Sequence, residues 1–328
     1  MASRISFVHP AADRVIILTN PGAGARNRIE TIFELVECLK QHGLTAVVVR
    51  DFQTLEQQIQ QLGAAGQLRA VVAAGGDGTV AEIVNRTDAV VPLTVFPLGT
   101  ANLLANYFGL TNDPHALATV VAAGATARFD AGRANGRVFL CMASCGFDAD
   151  VVHRLHSKRR GGHISYWTYA RPILEAIRSY RYPPLQIEYE TTQGASVVKL
   201  THRAPWAFVV NLPDYGGGLK LVPDAVATDG ELDLCVFKRG SLWHGLMYVG
   251  LVKLRQQRVL SDYQTMRVTR VRIASDEQVP YQLDGDPGAF LPLEIDVLPA
   301  RVTLLAPLDR LTALGLTPPV PQRAGAAG

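Results

Sequence analysis

The sequence predicts an α/β domain with a parallel sheet, followed by an antiparallel β-sandwich domain. Up to about residue 130, apolar runs rich in Val and Ile alternate with segments of helical periodicity, which favours a parallel sheet with helices on both faces. From Phe129 onward, short strand-like runs are separated by Gly, Pro and Asp, which favours an antiparallel sandwich. The length of 328 residues suits about two such domains.

The elements of the first domain follow from this alternation. The apolar runs predict strands at residues 15–19, 45–50, 70–74 and 92–96. The segments with helical periodicity predict helices at residues 28–42, 55–62, 79–85 and 114–123. Ligands of such sheets bind at the carboxyl ends of the strands. The turns that follow these strands are therefore the candidate binding positions.

The second domain is predicted to contain many short strands and few helices. Strands are expected at 137–141, 185–190, 197–201, 206–211, 231–237, 267–274, 279–283 and 293–298, and helices at 164–180 and 242–251. The domains are expected to span 1–130 and 131–300, with residues 300–316 returning to the first. The Pro-rich and then Ala- and Gly-rich composition of 317–328 predicts a disordered tail.

Composition excludes several classes of protein. Apolar residues make up 48% and charged residues 19%, as in soluble globular proteins, and no apolar run reaches the ~18 residues of a membrane span. The N-terminal residues do not resemble a signal peptide. The four cysteines contain no CxxC pair, which favours a reducing compartment. A cytoplasmic protein is therefore expected.

Positive charge is concentrated in the second half of the chain. Between Val151 and Pro205 there are nine Lys or Arg against three acids, and from Cys235 to Ser275 there are eight against one. Such clusters suit an anionic membrane face or a polyphosphate ligand, although solvated charge explains any single residue. No nucleic-acid partner is expected, because no recognition motif for one is present.

The stretch Ala73-Ala74-Gly75-Gly76-Asp77-Gly78-Thr79 joins a predicted strand to a predicted helix. Glycines let backbone amides approach a ligand, and the positive end of the helix then favours phosphate. Asp77 lies among these glycines, where it could order a magnesium ion or phosphate-bound water. The simpler alternative is a tight turn in which Thr79 and Glu82 form a capping box, but three glycines around one acid exceed what a cap needs.

Two further turns follow strands of the same sheet. Asn20-Pro21-Gly22-Ala23-Gly24 opens the first helix. It is not a P-loop, since no Gly-Lys-Ser/Thr follows, and Asn27 stands at the third glycine of a dinucleotide fingerprint. Pro97-Leu98-Gly99-Thr100-Ala101-Asn102 follows the strand at 92–96. Three phosphate-compatible turns at one sheet edge are more specific than any one of them.

Together these turns resemble the diacylglycerol kinase catalytic domain family, which includes bacterial lipid kinases and eukaryotic sphingosine and ceramide kinases. Later segments resemble further motifs of the family in order and spacing, namely Tyr215-Gly216-Gly217-Gly218, Pro223-Asp224-Ala225, Asp229-Gly230-Glu231-Leu232-Asp233 and Leu283-Asp284-Gly285-Asp286. The resemblance spans roughly Arg14 to Leu305. It implies a nucleotide-binding first domain of the NAD kinase and phosphofructokinase type, a lipid-binding sandwich, and an active site in the cleft between them.

The resemblance also implies roles for individual residues. The ATP phosphates would be held by the turns, at Asn20, Pro21, Gly22, Ala23, Gly24, Ala74, Gly75, Gly76, Asp77, Gly78, Thr79, Val80, Thr100 and Asn102. Asp77 would orient Mg²⁺. Asp284 would be the general base, assisted by Asp286, which stands where the family usually has Glu. A structural magnesium site would be formed by one carboxylate and two backbone carbonyls, those of Asp229, Val226 and Glu231.

Several alternatives are open for these residues. Asp229-Gly230 and Asp284-Gly285 are also common hairpin-turn dipeptides, and a hairpin turn alone would tolerate Asp284→Asn without loss of stability. The glycines at 216–218 could form a flexible connection. It is also open whether Asp284 or Asp286 takes the proton, and whether Arg50-Asp51, where some relatives have Thr, contacts the nucleotide.

The sequence thus predicts an ATP-dependent lipid kinase that transfers the γ-phosphate to a lipid hydroxyl, diacylglycerol-like or sphingoid. Basic and aromatic residues mix between Arg154 and Tyr182, which suits peripheral contact with an anionic membrane surface, although a packed, solvated helix is nearly as good an explanation. An NAD kinase-like enzyme with a soluble acceptor and a catalytically silent lipid- or nucleotide-binding regulator are the alternatives. A homodimer is left open.

Overall fold

The computed structural model describes residues 4–19, 26–157, 179–193 and 196–318. The predicted turn at Asn20–Gly24, most of the predicted helix at 164–180 with the neighbouring basic residues, and most of the predicted tail lie outside these ranges. None of the described helices is long and apolar enough to cross a membrane.

The strands of the described residues are short in the second half of the chain. In order they are β1 Ser6–Phe7, β2 Arg14–Thr19, β3 Thr45–Val49, β4 Leu68–Gly75, β5 Pro92–Pro97, β6 Ala125–Ala134, β7 Arg137–Phe139, β8 Met142–Cys145, β9 Leu185–Gln193, β10 Ser196–Ala204, β11 Trp206–Val210, β12 Asp214–Tyr215, β13 Leu219–Lys220, β14 Leu232–Phe237, β15 Tyr263–Val268, β16 Arg270–Ala274, β17 Pro280–Leu283, β18 Asp286–Phe290 and β19 Leu293–Leu305.

The helices alternate with strands in the first domain. They are α1 Arg26–Gln41, α2 Phe52–Ala64, α3 Asp77–Arg86, α4 Leu103–Phe108, α5 Pro114–Ala123, α6 Phe147–Ser157, α7 Leu242–Lys253 and α8 Leu308–Ala313, with short 3-10 turns at Gly216–Gly218 and Gln257–Val259. The alternation predicted for the first domain is therefore confirmed. No bounds had been predicted for α4, α6 and α8.

An 11-stranded sheet runs through the described structure in the order β10-β9-β16-β19-β5-β4-β2-β3, with β1, β6 and β7 attached through β6. Strands β3, β2, β4 and β5 are parallel, because each is connected to the next by a helix. The apolar runs of β2 and β4 are buried, as expected for strands covered on both faces.

Strand β19 joins the two halves of the molecule. Residues Leu293–Asp296 pair antiparallel with β16, whereas Thr303 and Leu304 pair in parallel with β5. The chain then forms α8, and Thr317 bridges to Arg4. The segment after residue 300 therefore lies against the first domain.

A six-stranded antiparallel sheet, β15-β14-β11-β8-β17-β18, packs on the antiparallel end of the large sheet. Alternate residues of the facing strands point into the shared core, among them Ile187, Val209, Leu234, Val271 and Ile295. The predicted combination of an α/β domain and an antiparallel sandwich is thus confirmed. The chain crosses between the two sheets at Leu140–Cys141, which we call the crossover segment, where a single strand had been predicted over 137–141.

Candidate active site

Helix α3 begins inside the glycine-rich turn. Its N-cap is Gly76, which has no side chain to cap the helix, and the amide of Thr79 donates to the Gly76 carbonyl at 3.0 Å. Glu82 forms ion pairs with Arg86 and Arg137 instead of turning back to the helix start. The capping-box alternative is therefore wrong, and the first turn of α3 is left without a side-chain cap, as an anion-binding helix start requires.

The second turn packs on the first through glycine backbones. A Cβ atom on Gly99 would lie 2.5 Å from the Cα of Gly76, and the amide of Leu98 donates to the carbonyl of Gly75 at 3.0 Å. Asn102, which has a left-handed φ of 49°, closes the second turn through two hydrogen bonds of 3.0 Å with the Gly99 backbone. The two turns therefore form one unit, and glycine is needed where their backbones meet.

Replacing Gly99 with Ala is expected to destabilise the folded protein by about 1–3 kcal/mol, because the added methyl group forces the two turns apart. Chemical denaturation measures this loss. Gly63→Ala is the matched control, since Gly63 lies in α2 with nothing within 4 Å of its added Cβ. The control should be neutral or slightly stabilising, because Ala favours helix. Equal stability of the two variants would show that the close packing of the turns is not required.

Asp77 ties the two turns together. Its carboxylate oxygens accept hydrogen bonds from the amides of Leu103, at 2.9 Å, and Leu104, at 3.0 Å, and so cap the start of α4. Burial raises the pKa of Asp77. Both carboxylate oxygens of Asp77 thus accept hydrogen bonds from the protein itself. These bonds explain the position of Asp77 without a metal ion, and its contact with Mg²⁺ stays a prediction.

Asp286 brings the second domain to the glycine-rich turn. A Cβ atom on Gly78 would lie 3.1 Å from Asp286 Oδ2, and the charge of Asp286 contributes to the raised pKa of Asp77. The side chain is half-buried and has no hydrogen-bond or ion-pair partner among the described residues. A carboxylate of the second domain is thus placed beside Gly78, in the first turn of α3.

Asp284 is bound differently. It has a left-handed φ of 51° in the turn between β17 and β18, and its carboxylate accepts from the amides of Leu140 at 2.7 Å, Cys141 at 2.7 Å and Met142 at 2.9 Å. Burial raises the pKa of Asp284 to about 6, so the group is ionised at neutral pH. The carboxylate therefore fastens the crossover segment to the turn that presents Asp286.

A buried polar network that the sequence did not reveal supports the same turn. Asp148, in the first turn of α6, contacts the hydroxyls of Ser144 and Tyr215, and Gln282 Nε2 donates to its carboxylate at 3.3 Å. Gln282 Oε1 accepts from the amide of Gly285 at 2.7 Å. Burial raises the pKa of Asp148. Because Ser144, Asp148 and Gln282 belong to none of the motifs and lie far from Tyr215 in sequence, only the folded chain shows the four residues together.

The network also explains the Tyr215–Gly218 segment. β12 and β13 pair as a hairpin around these glycines, and the Tyr215 hydroxyl bonds to Asp148. The hairpin is therefore connected through Tyr215, Asp148 and Gln282 to the turn at 284–286, which argues against a connection that does nothing but link two strands.

The predicted structural magnesium site contains an arginine. The Arg267 guanidinium contacts the Asp229 carboxylate and lies 2.8 Å from Glu231 Oε2, while the other oxygen of Asp229 accepts from the Glu231 amide at 3.0 Å. Among the described residues, no group of three or more His, Cys, Asp or Glu is arranged to hold a metal ion. With a guanidinium on Asp229, the residues as placed do not fit a second cation, which argues against the magnesium site predicted at Asp229 with the carbonyls of Val226 and Glu231.

The melting temperature of the protein is expected to be the same in magnesium and in a chelator. In Arg267→Ala, the acids Asp229, Glu231 and Asp233 lose their counter-charge, and magnesium should then raise the melting temperature by binding the folded state. Thermal unfolding followed by circular dichroism measures both effects. A magnesium-dependent increase in the unmodified protein that Asp229→Ala abolishes would show that Asp229 binds the ion directly.

The remaining predicted residues have simpler surroundings. Ala74 and Val80 are buried in the core of the first domain, and Thr100 is exposed. Arg50 is exposed, while Asp51 caps α2 by accepting from the amide of Thr54 at 2.8 Å. Helix capping therefore accounts for the side chain of Asp51, and a nucleotide contact at Arg50-Asp51 stays an open prediction.

Comparison with known proteins agrees with this arrangement. The profile of the diacylglycerol kinase catalytic domain matches residues 14–134, and that of the YegS C-terminal NAD kinase beta sandwich-like domain matches residues 141–306. A diacylglycerol kinase from Mycobacterium tuberculosis is 30% identical over 305 residues, which cover 90% of this chain and 95% of that protein. A diacylglycerol kinase from Bacillus subtilis is 29% identical over 252 residues, 74% of this chain and 80% of that protein.

A solved structure shows the same fold. A diacylglycerol kinase from Bacillus anthracis superimposes with a TM-score of 0.66 and 23% identity, over 90% of this chain and 98% of that one. The matches to the diacylglycerol kinase catalytic domain and to the two diacylglycerol kinases show that the protein is a phosphotransferase that acts on an alcohol group. The chain belongs to the diacylglycerol kinase family. The family predicted from the turns is thereby confirmed.

Proposed function

We propose that the protein is an ATP-dependent lipid kinase that phosphorylates the hydroxyl of a diacylglycerol-like or sphingoid lipid. The observation that carries the proposal is the position of Asp286, a carboxylate of the second domain beside Gly78 at the start of α3. This position supports the proposal, because transfer to an alcohol needs a proton acceptor close to the bound phosphates. The names of the relatives supply the lipid acceptor.

In this proposal the two packed turns at 75–79 and 97–102, with the predicted turn at 20–24, bind the phosphates of ATP through backbone amides. Asp77 acts as a positioning residue, because its carboxylate holds α4 and hence the second turn. The lipid oxygen forms a bond to the γ-phosphorus as the bond to the β-phosphate oxygen breaks, so that ADP leaves. Mg²⁺ bound with the nucleotide would neutralise phosphate charge.

We assign acceptance of the lipid hydroxyl proton to Asp286 in place of Asp284. Three backbone amides bind the Asp284 carboxylate, whereas the Asp286 carboxylate lies beside Gly78 and has no hydrogen-bond partner among the described residues. A base must reach the hydroxyl within hydrogen-bond distance, and a carboxylate that fastens the crossover segment cannot move to do so without breaking those bonds. Asp284 is then a positioning residue for Asp286.

The test is transfer of labelled phosphate from ATP to a panel of acceptors in mixed micelles. Diacylglycerol, sphingosine, ceramide and soluble NAD are compared under the same conditions. Label in a lipid that requires the micelle supports the proposal. Label in NAD alone would show the NAD kinase-like alternative, and ATP binding with no labelled product would show a silent regulator.

Membership of the family supports a lipid substrate, but it does not identify the surface that would contact a membrane. The basic and aromatic residues predicted for this role, Lys158, Arg159, Arg160, Tyr166, Trp167 and Tyr169, lie outside the described residues. Membrane contact, a cytoplasmic location and a homodimer remain predictions.

A further inference from the structure

Helix α7 exposes an apolar face. The side chains of Trp243, Leu246 and Val249 are 78%, 53% and 54% exposed, while Tyr248 and Val252 on the other side are buried. The helix, Leu242–Lys253, contains no acidic residue. A helix that is apolar on all sides is normally buried, so this exposure on a described surface helix indicates a partner.

Two further exposed apolar side chains follow the helix in sequence. Leu254 and Val259 are 67% and 74% exposed. We call these five side chains, Trp243, Leu246, Val249, Leu254 and Val259, the docking face. The last of these residues, Val259, ends the 3-10 turn at Gln257–Val259. Exposed apolar residues scattered singly need no explanation, but a cluster in one helix and the following turn does.

Positive charge borders the docking face. Lys253 and Arg255 are exposed and have no ion-pair partner among the described residues, and Arg258 pairs with Asp224. The acid nearest in sequence, Asp262, is buried and accepts from the Tyr248 hydroxyl. The border therefore carries net positive charge, which suits a partner with an anionic surface.

The docking face is connected to the candidate active site. Gln257 Nε2 donates to the carbonyl of Lys220 at 2.8 Å, and the Tyr263 hydroxyl donates to that of Leu221 at 2.8 Å. Lys220 belongs to β13, the second strand of the hairpin whose Tyr215 bonds to Asp148. The β12–β13 hairpin thus connects the docking face to the network that supports the 284–286 turn.

We propose that the docking face inserts into the surface of an anionic lipid bilayer. Trp and aliphatic side chains bury in the interfacial region while adjacent Lys and Arg contact anionic headgroups. A second copy of this chain fits less well, because each copy would bring the positive charges of Lys253 and Arg255 to the interface, and the helix contains no acid to pair with them. Membrane binding itself is independent of the proposed function. Only its role, which is to bring the enzyme to a lipid acceptor in the membrane, rests on the proposed lipid kinase activity.

The experiment measures co-flotation of the full chain with vesicles of phosphatidylcholine that contain about a quarter phosphatidylglycerol. The Trp243→Ser/Leu246→Ser variant should bind at least about tenfold more weakly, and Lys253→Glu/Arg255→Glu should lower binding by a similar factor. Vesicles of phosphatidylcholine alone should bind the unmodified protein weakly. All of these side chains are exposed, so circular dichroism should show unchanged folding.

Helix α1 offers a matched control. Ile29 and Phe33 are 56% and 63% exposed, one helical turn apart, but they lie among the acids Glu30, Glu34 and Glu37. Ile29→Ser/Phe33→Ser removes similar apolar area and should leave vesicle binding unchanged. Equal loss of vesicle binding in both variants would overturn the proposal, since nonspecific hydrophobic adsorption would then explain binding. Loss of self-association in the docking-face variant, with no vesicle binding by the unmodified protein, would instead identify a second copy.

Kinase assays separate this proposal from the proposed function. With the docking-face variant, phosphorylation of diacylglycerol in vesicles should fall by the same factor as binding, while a soluble short-chain diacylglycerol should be phosphorylated at the unmodified rate. Vesicle binding that depends on the docking face, without phosphorylation of any lipid, would support docking and contradict the kinase. Lipid phosphorylation that is indifferent to the docking-face variant would contradict docking alone.

Discussion

Asp286→Asn should lower the turnover number by about 10²–10⁴-fold while leaving the free energy of unfolding unchanged. The amide cannot take a proton at neutral pH, and the Asp286 side chain has no hydrogen-bond or ion-pair partner among the described residues whose loss would destabilise the fold. Binding of ATP should persist, because the nucleotide is held by turns of the first domain. Turnover is measured with the lipid that the acceptor panel identifies, at saturating lipid and ATP.

Two further variants make this test specific. Asp286→Glu keeps the carboxylate and restores the residue that the family usually has, so it should retain most of the turnover of the unmodified protein. If Asp286→Asn and Asp286→Glu are equally active, the carboxylate is not the proton acceptor. If Asp286→Asn instead raises KM for ATP with turnover unchanged, Asp286 acts on nucleotide binding.

The fold was predictable where one physical signal dominates. Buried parallel strands give continuous apolar runs, so β2 and β4 were found within a few residues of their observed ends. The strand at 267–274 was wrong, because the chain breaks at Thr269 and two strands, β15 and β16, enter different sheets. Nothing local in the sequence marks that exchange, which is set by the packing of one sheet on the other.

The site was predictable as a set of turns but not as a set of contacts. Glycine patterns identified the turn at 75–79, and the fold shows that Gly76 also gives room to Gly99 of another turn. The sequence ranked Asp284 above Asp286 as the base through resemblance alone. Hydrogen bonds to amides at 140–142, distant in the chain, are the reason that we propose the reverse order. Asp148 was missed for the same reason, since its partners come from separate strands.

Asp284→Asn is expected to lower the free energy of unfolding by about 2–3 kcal/mol. As a residue of a hairpin turn alone, Asp284 would tolerate Asn, which forms such turns equally well. In the fold, however, its two oxygens bind three backbone amides of the crossover region. Asn offers one carbonyl oxygen and turns an NH₂ group toward an amide donor, which leaves buried polar groups without partners.

Urea denaturation of the two asparagine variants side by side measures the difference. Asp284→Asn should unfold at lower urea concentration with an unchanged slope, whereas Asp286→Asn should match the unmodified protein. Asp284→Asn should also lose turnover, because the crossover segment no longer holds the turn that presents Asp286. A stable Asp284→Asn protein with turnover lost by 10²-fold or more would show instead that Asp284 takes the proton and that Asp286 assists it.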